Sequence, residues 1–341
     1  MTHPGGERQR WLLAAFIVVT VVFALGLTAG ALLVPRQAQI DVSGSTPSTE
    51  ADSSAIPLGS SEKTVARIHV EGKAGNPALI TYDAAVGAAD APSSQAAMVS
   101  FRVECRSPDG KDLPMQTTGT TTTNVFIARG GTLRGQALSP ALPDGQTTCS
   151  LIGGAPFATA PVSGMGDASL PVTVELRQVT AGDPSFQQMD GELEDATALT
   201  RRTSEAVLDT RFDTDSRHLD VFATVRLTSC TVVDGSRDGD GPLACKPGMV
   251  GPDASTVRIR VLARTYDDAG KQIGGATLWD EDAAVAPSTH HLPWTIRLEN
   301  IDRRMTGKSA TTRITVIVGS VAGTPVTVHA NGTDGVVSHH S

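Results

Sequence analysis

At 341 residues with a formal net charge of −8, the chain carries no basic stretch interleaved with aromatics, which excludes a nucleic acid as its evident partner. Aromatic residues make up 4% of it, and the abundance of Thr and Val favours small, strand-rich domains over a large enzyme core. Arginine outnumbers lysine, as in proteins from GC-rich bacterial genomes.

Residues 1–10 read as a short cytoplasmic tail, with Arg8 and Arg10 partly offset by Glu7. Residues 11–34, WLLAAFIVVTVVFALGLTAGALLV, contain no charge. About 24 residues at roughly 1.5 Å each reach about 36 Å, enough to cross a hydrocarbon core as a transmembrane signal anchor. A cleavable signal has a shorter apolar region, although Ala29-Gly30-Ala31 leaves cleavage after Ala31 as an alternative. The charge bias places the amino terminus in the cytoplasm and the bulk of the chain beyond the plasma membrane. The lipid bilayer is thus the first expected partner. Gly26 and Gly30 form a GxxxG pattern, a candidate helix-dimerisation face, since small residues one turn apart let two helices approach closely.

Residues 35–63 are rich in Ser, Thr and Pro without apolar periodicity, the composition of a disordered stalk. From Val65 the pattern turns to period two. Val99, Phe101, Val103 and Cys105 share one face of a strand, and Ser100, Arg102 and Glu104 share the other. Residues 64–180 therefore read as one all-β domain. Residues 181–209 read as a polar linker, with a short helix over Glu192 to Val207. Alternation resumes in LDVFATVRL, TVRIRVLA, WTIRL and TRITVIV, giving a second β domain over 210–335 and a tail at 336–341.

The two domains share a weak repeat. Val99-Ser-Phe-Arg-Val precedes the turn Pro108-Asp-Gly-Lys, and Val257-Arg-Ile-Arg-Val precedes Asp268-Ala-Gly-Lys. Short strands at regular spacing with turn signals predict tandem β-sandwich domains of immunoglobulin-like architecture, although the first domain lacks the Trp of true immunoglobulin domains. Cys105, Cys149, Cys230 and Cys245 all follow the apolar stretch, and none has metal-site spacing. An even count beyond a membrane signal points to disulfides. Pairing Cys105 with Cys149 and Cys230 with Cys245 keeps each bridge within one domain, the first stapling the two sheets of its sandwich. Buried free thiols are the alternative.

Candidate chemistry is sparse. Asp234, Ser236, Asp238 and Asp240 resemble the front of a calcium loop. Position 12 is Cys245 instead of a bidentate Glu, so a solvated hairpin tip competes with that reading. His290 and His291 are adjacent and point to opposite faces of a strand. His69 and His218 stand isolated, and His339 and His340 lie in the expected tail. No HExxH, Gly-rich phosphate loop or nucleophile elbow occurs, so no catalytic residue and no cofactor is indicated. The sequence points to a non-enzymatic envelope protein that binds or scaffolds another envelope protein or a glycan, as a possible homodimer, with Trp279 and Trp294 on its binding surface. An extracytoplasmic hydrolase and a subunit of a membrane-embedded secretion or transport machine are the alternatives.

Overall fold

Residues that alternate apolar and polar form strands here because one face of each strand meets a second sheet and the other meets water. In the segment Ser169–Gln178, every second side chain from Leu170 to Leu176 is buried and those between are exposed. The computed structural model describes residues 53–57, 61–72, 75–91, 96–158, 169–179, 185–213, 216, 218–229, 254–285, 292–302 and 311–340. Among them every regular element is a strand.

The first module contains β1 (Ser53–Pro57), β2 (Lys63–Gly72), β3 (Leu79–Val86), β4 (Ala96–Arg106), β5 (Asp112–Leu113), β6 (Thr121–Phe126), β7 (Gly131–Leu138), β8 (Gly145–Ala158) and β9 (Ser169–Gln178). The second contains β10 (Ser185–Gln188), β11 (Asp190–Gly191), β12 (Thr197–Leu199), β13 (Ser204–Asp213), β14 (His218–Ser229), β15 (Ser255–Tyr266), β16 (Gln272–Val285), β17 (Leu292–Asp302), β18 (Thr311–Ala322) and β19 (Val326–His340).

In the first module one sheet runs β1-β9-β3-β7 and the other β2-β8-β4-β5, with β6 also on β4. In the second, one runs β10-β19-β14-β17, with β12 also on β19, and the other β11-β13-β18-β15-β16. All pairings are antiparallel. The two orders superimpose: β9-β3-β7 corresponds to β19-β14-β17, and β2-β8-β4 corresponds to β13-β18-β15. The turns after β4 and β15 also match. Gly110 N–H donates to Ser107 O and Gly270 N–H donates to Asp267 O, with both glycines at positive φ (82° and 77°). The repeat in the sequence is therefore a repeat of topology.

That topology corrects the immunoglobulin-like expectation. Immunoglobulin sheets place consecutive strands side by side. Here early strands lie beside late ones in all four sheets, and among the described residues the only consecutive strands that pair are β4 with β5 and β15 with β16. Two sheets of four or five strands wound this way form a jelly-roll sandwich. Each module has its own core drawn from both sheets. Val65, Phe101 and Leu151 meet Tyr82, Val172 and Leu176 in the first. Val257, Ile314 and Val316 meet Val221, Val225 and Val337 in the second.

Three segment boundaries also differ from the sequence reading. β1, within the expected stalk, pairs with β9 and buries Ile56. Residues 185–209, read as a linker with a helix, instead supply β10, β11, β12 and the start of β13. Short, polar edge strands of this kind carry little apolar alternation and leave almost no signal. Residues 336–340, read as a tail, complete β19, with Val336, Val337 and Ser338 buried.

Candidate functional site

Along β14 nearly every side chain is buried, on both faces. Leu219, Val221, Ala223, Val225 and Leu227 belong to the core of the second module. The alternate residue Phe222 belongs to a separate cluster with Val336 of β19 and with Leu79 and Leu138 of the first module. Part of the outer face of one sheet from each module, around β3 and β7 in the first and β14 and β19 in the second, is therefore covered by the other module. The sheets concerned are the topologically equivalent pair.

The polar groups at this junction are matched across it. Gln136 on β7 is fully buried. Its amide nitrogen donates to Asp334 Oδ1 on β19 at 2.7 Å, and its carbonyl oxygen accepts from Thr224 Oγ1 on β14 at 3.1 Å. Thr295 Oγ1 on β17 donates to the Arg134 carbonyl at 2.9 Å. Arg297, also on β17, reaches Asp83 Oδ2 at 2.9 Å and the Tyr82 carbonyl at 2.7 Å. Asp83 is met in addition by Arg134 at 2.9 Å and Arg177 at 3.5 Å, so three guanidinium groups converge on one carboxylate.

Behind this layer Tyr82 is 1% exposed. Its hydroxyl donates to Gly119 O and meets Thr121 Oγ1, both at 2.6 Å. Burial pushes its phenol well above the ordinary tyrosine value. The ring lies directly over Gly135, where a Cβ would come within 2.5 Å of it, so only glycine fits. Asp334 is different from Asp83 in that no cation among the described residues pairs with it. Part of the residue reaches the surface, but its carboxyl lies against Gln136 of the first module, and burial pushes its pKa up to about 7, against a smaller opposing pull from that hydrogen bond. The junction thus holds a carboxyl group that changes charge near neutrality. Arg226, on the same outer face of β14 as Thr224, is pulled below the usual arginine value by burial.

No protein-family model matches the chain, and no curated protein matches it. Among solved structures, similarity extends to infectious bursal disease virus, Gx strain, at 9% identity and a TM-score of 0.28, covering 91% of this chain and 76% of that one. It extends also to the tandem CBM22-1-CBM22-2 domains of Xyn10C from Paenibacillus barcinonensis, at 11% identity and a TM-score of 0.21, covering 80% and 82%. Tripeptidyl peptidase 2 is similar at 9% identity and a TM-score of 0.25, over 89% of this chain and 24% of that one. At TM-scores this low none of them bears on family or function.

Of the residues singled out in the sequence, those that the structure describes fall elsewhere than the junction. Cys105 and Cys149 are bonded, but they are register partners on β4 and β8 of one sheet, so the bridge joins neighbouring strands instead of stapling two sheets. Directly opposed positions bring Cβ atoms close enough for this. Cys230, Cys245, Asp234, Ser236, Asp238, Asp240, Gly26, Gly30, His290 and His291 lie outside the described residues. Trp294 is 3% exposed in the second core, which removes it from any binding surface. Trp279 is half-buried against that core.

Of the histidines read as isolated or terminal, His218, His339 and His340 come together at one end of the second module, whereas His69 lies on β2 of the first, its Nδ1 3.2 Å from Thr148 Oγ1. His218 and His340 are register partners with rings 5.6 Å apart. His340 Nε2 lies 3.3 Å from Asp220 Oδ2. His339 stacks on Phe212 at 5.3 Å, and its Nδ1 is 3.5 Å from Ser216 Oγ. The serine and the aspartate thus contact different histidines, which adjacent positions on β19 turn to opposite faces. No Ser–His–Asp relay results. Among the described residues no group of three or more His, Cys, Asp or Glu side chains is arranged to hold a metal.

The junction residues escaped sequence reading because each looks like an ordinary surface residue of its strand. A signal did exist: the run LDVFATV in β14 is apolar on both faces, the mark of a strand covered on both sides.

Proposed function

We propose that this chain is a membrane-anchored extracytoplasmic protein whose two jelly rolls, joined through the junction, serve as a binding or scaffolding body in the cell envelope. The observation that carries the reading is the Cys105–Cys149 bond on a chain that also bears the uncharged stretch at residues 11–34. Disulfides persist in oxidising compartments, and the stretch has the length to hold the body at a membrane. The partner is another envelope protein or a glycan. With Trp294 in the core, the accessible apolar side chains include exposed Val321 on β18 and a group on β16, at the edge of its sheet: Ile273, exposed, and the half-buried Leu278 and Trp279. An edge strand offers unpaired backbone groups that a partner strand can extend.

The test is fractionation of cells that make the full chain. Retention in the membrane pellet after alkaline carbonate, with digestion by protease added outside spheroplasts, is the expected result. Release into the soluble fraction overturns the anchor, and protection from external protease overturns the orientation. Photocrosslinkers placed at Ile273 and at Thr256, on a neighbouring strand, then report whether the β16 edge is where partners are captured.

A further inference from the structure

We propose that the junction between the modules is a proton-operated latch, in which Asp334 facing Gln136 holds the two jelly rolls together more tightly as the medium acidifies. The geometry rests on strand parity. Val337 of β19 points into the core of the second module, whereas Val336 points into the junction cluster. Asp334 shares the parity of Val336, and its partner Gln136 comes from the first module. Parting the modules therefore returns this carboxyl to water without unfolding the sheet that carries it.

The groups around it leave the charged form uncompensated. From the first module, β7 presents the neutral amide of Gln136, and behind that layer β3 holds Tyr82 in the core, kept as the neutral phenol by burial. Arg134 of β7 and Arg297 of β17 are both engaged by Asp83, and Arg177 of β9 by Asp83 and Glu175. On β14, Arg226 remains a cation at these pH values although burial lowers its pKa, and among the described residues no ion pair joins it to Asp334. On β19, His329 lies 2.8 Å from Thr228 Oγ1. Gln136 serves the protonated carboxyl as well as the ionised one, because its N–H can donate to the carbonyl oxygen of the acid.

The sign follows from linkage. The closed junction raises the Asp334 pKa from the ordinary 3.8 to about 7, so the closed state binds the proton more tightly than the open one. Closure is favoured fully below the ordinary value. It weakens as pH rises from about 4 to about 7, by at most about tenfold per pH unit for one proton, and is constant above that range.

Hydrogen–deuterium exchange of the full chain in detergent micelles tests this, with labelling times corrected for intrinsic exchange at each pH. Peptides covering β7 and β17 report the junction, and peptides covering β15 and β18, in the sheet away from it, serve as the reference. The expected result is a rise in junction opening relative to the reference between pH 5 and 7, and a plateau above. Asp334→Asn, equal in size and without a titrating group, removes that slope. Three results overturn the latch: a flat profile in the unmodified chain, an equal slope in the reference peptides, or an undiminished slope in Asp334→Asn. The first two need no variant to fold.

Discussion

Asp83 and Arg297 stand 214 residues apart in the chain and form a 2.9 Å ion pair across the junction. Each side chain is about one-fifth exposed, so solvent screens the pair only in part. Arg297 adds hydrogen bonds to the Tyr82 and Gly135 carbonyls, and Asp83 retains Arg134 and Arg177 if Arg297 is lost. Arg297→Ala should lower stability by about 1–3 kcal/mol through loss of the partly buried ion pair and of its hydrogen bonds to the two carbonyls. A double-mutant cycle with Asp83→Ala in urea should give a coupling energy of at least about 0.5 kcal/mol. Additive single effects would show that the pair does not hold the modules.

Gly135 is constrained by the Tyr82 ring above it. A methyl group there would meet ring atoms at 2.5–2.7 Å, and the ring cannot retreat without releasing the hydroxyl from Gly119 and Thr121. Gly135→Ala should destabilise the first module by about 1–3 kcal/mol through overpacking. Thermal unfolding, read beside Tyr82→Phe, separates the steric term from the loss of hydrogen bonds.

The Cys105–Cys149 bond closes a loop of 44 residues. Chain entropy alone gives such a bridge about 4 kcal/mol of stabilisation. Reduction should therefore shift the denaturation midpoint of the first module markedly and that of the second only through the junction. Unfolding followed with and without reductant, on variants carrying Cys105→Ala with Cys149→Ala, measures both.

Gly110 and Gly270 occupy the same place in the two modules, both at positive φ and both with open space where a Cβ would sit. Replacing either with Ala carries a backbone penalty of about 1 kcal/mol and no steric one. Equal losses from Gly110→Ala and Gly270→Ala in denaturant titrations are the expected outcome. Unequal losses would mean that the turns contribute differently in the two copies.

The strands that cross each core were legible because their apolar residues alternate cleanly, as in β4, β9 and β15. What alternation cannot carry is neighbour order: nothing in the pattern of β8 shows that it lies between β2 and β4, nor in that of β18 that it lies between β13 and β15. The short edges β1, β10, β11 and β12 were hidden for a different reason: with so few buried side chains, their pairing rests on backbone hydrogen bonds that any sequence can make. The histidines were misread by position. A segment at the end of a chain reads as frayed unless a partner strand is known, and β14 is that partner for His339 and His340. The junction was the least legible part, because Gln136, Asp334 and Arg297 become interface residues only once two sheets face each other.

The matching topology of the two modules has a consequence for how such a junction can change over time. In a symmetric dimer of one jelly roll, every residue at the contact appears twice, so an acid introduced on one side is introduced on the other as well. Two copies within one chain are released from that constraint. Asp83 could arise on one copy and Arg297 on the other, and a lone Gln136 could come to face a lone Asp334, each adjusted independently of its counterpart.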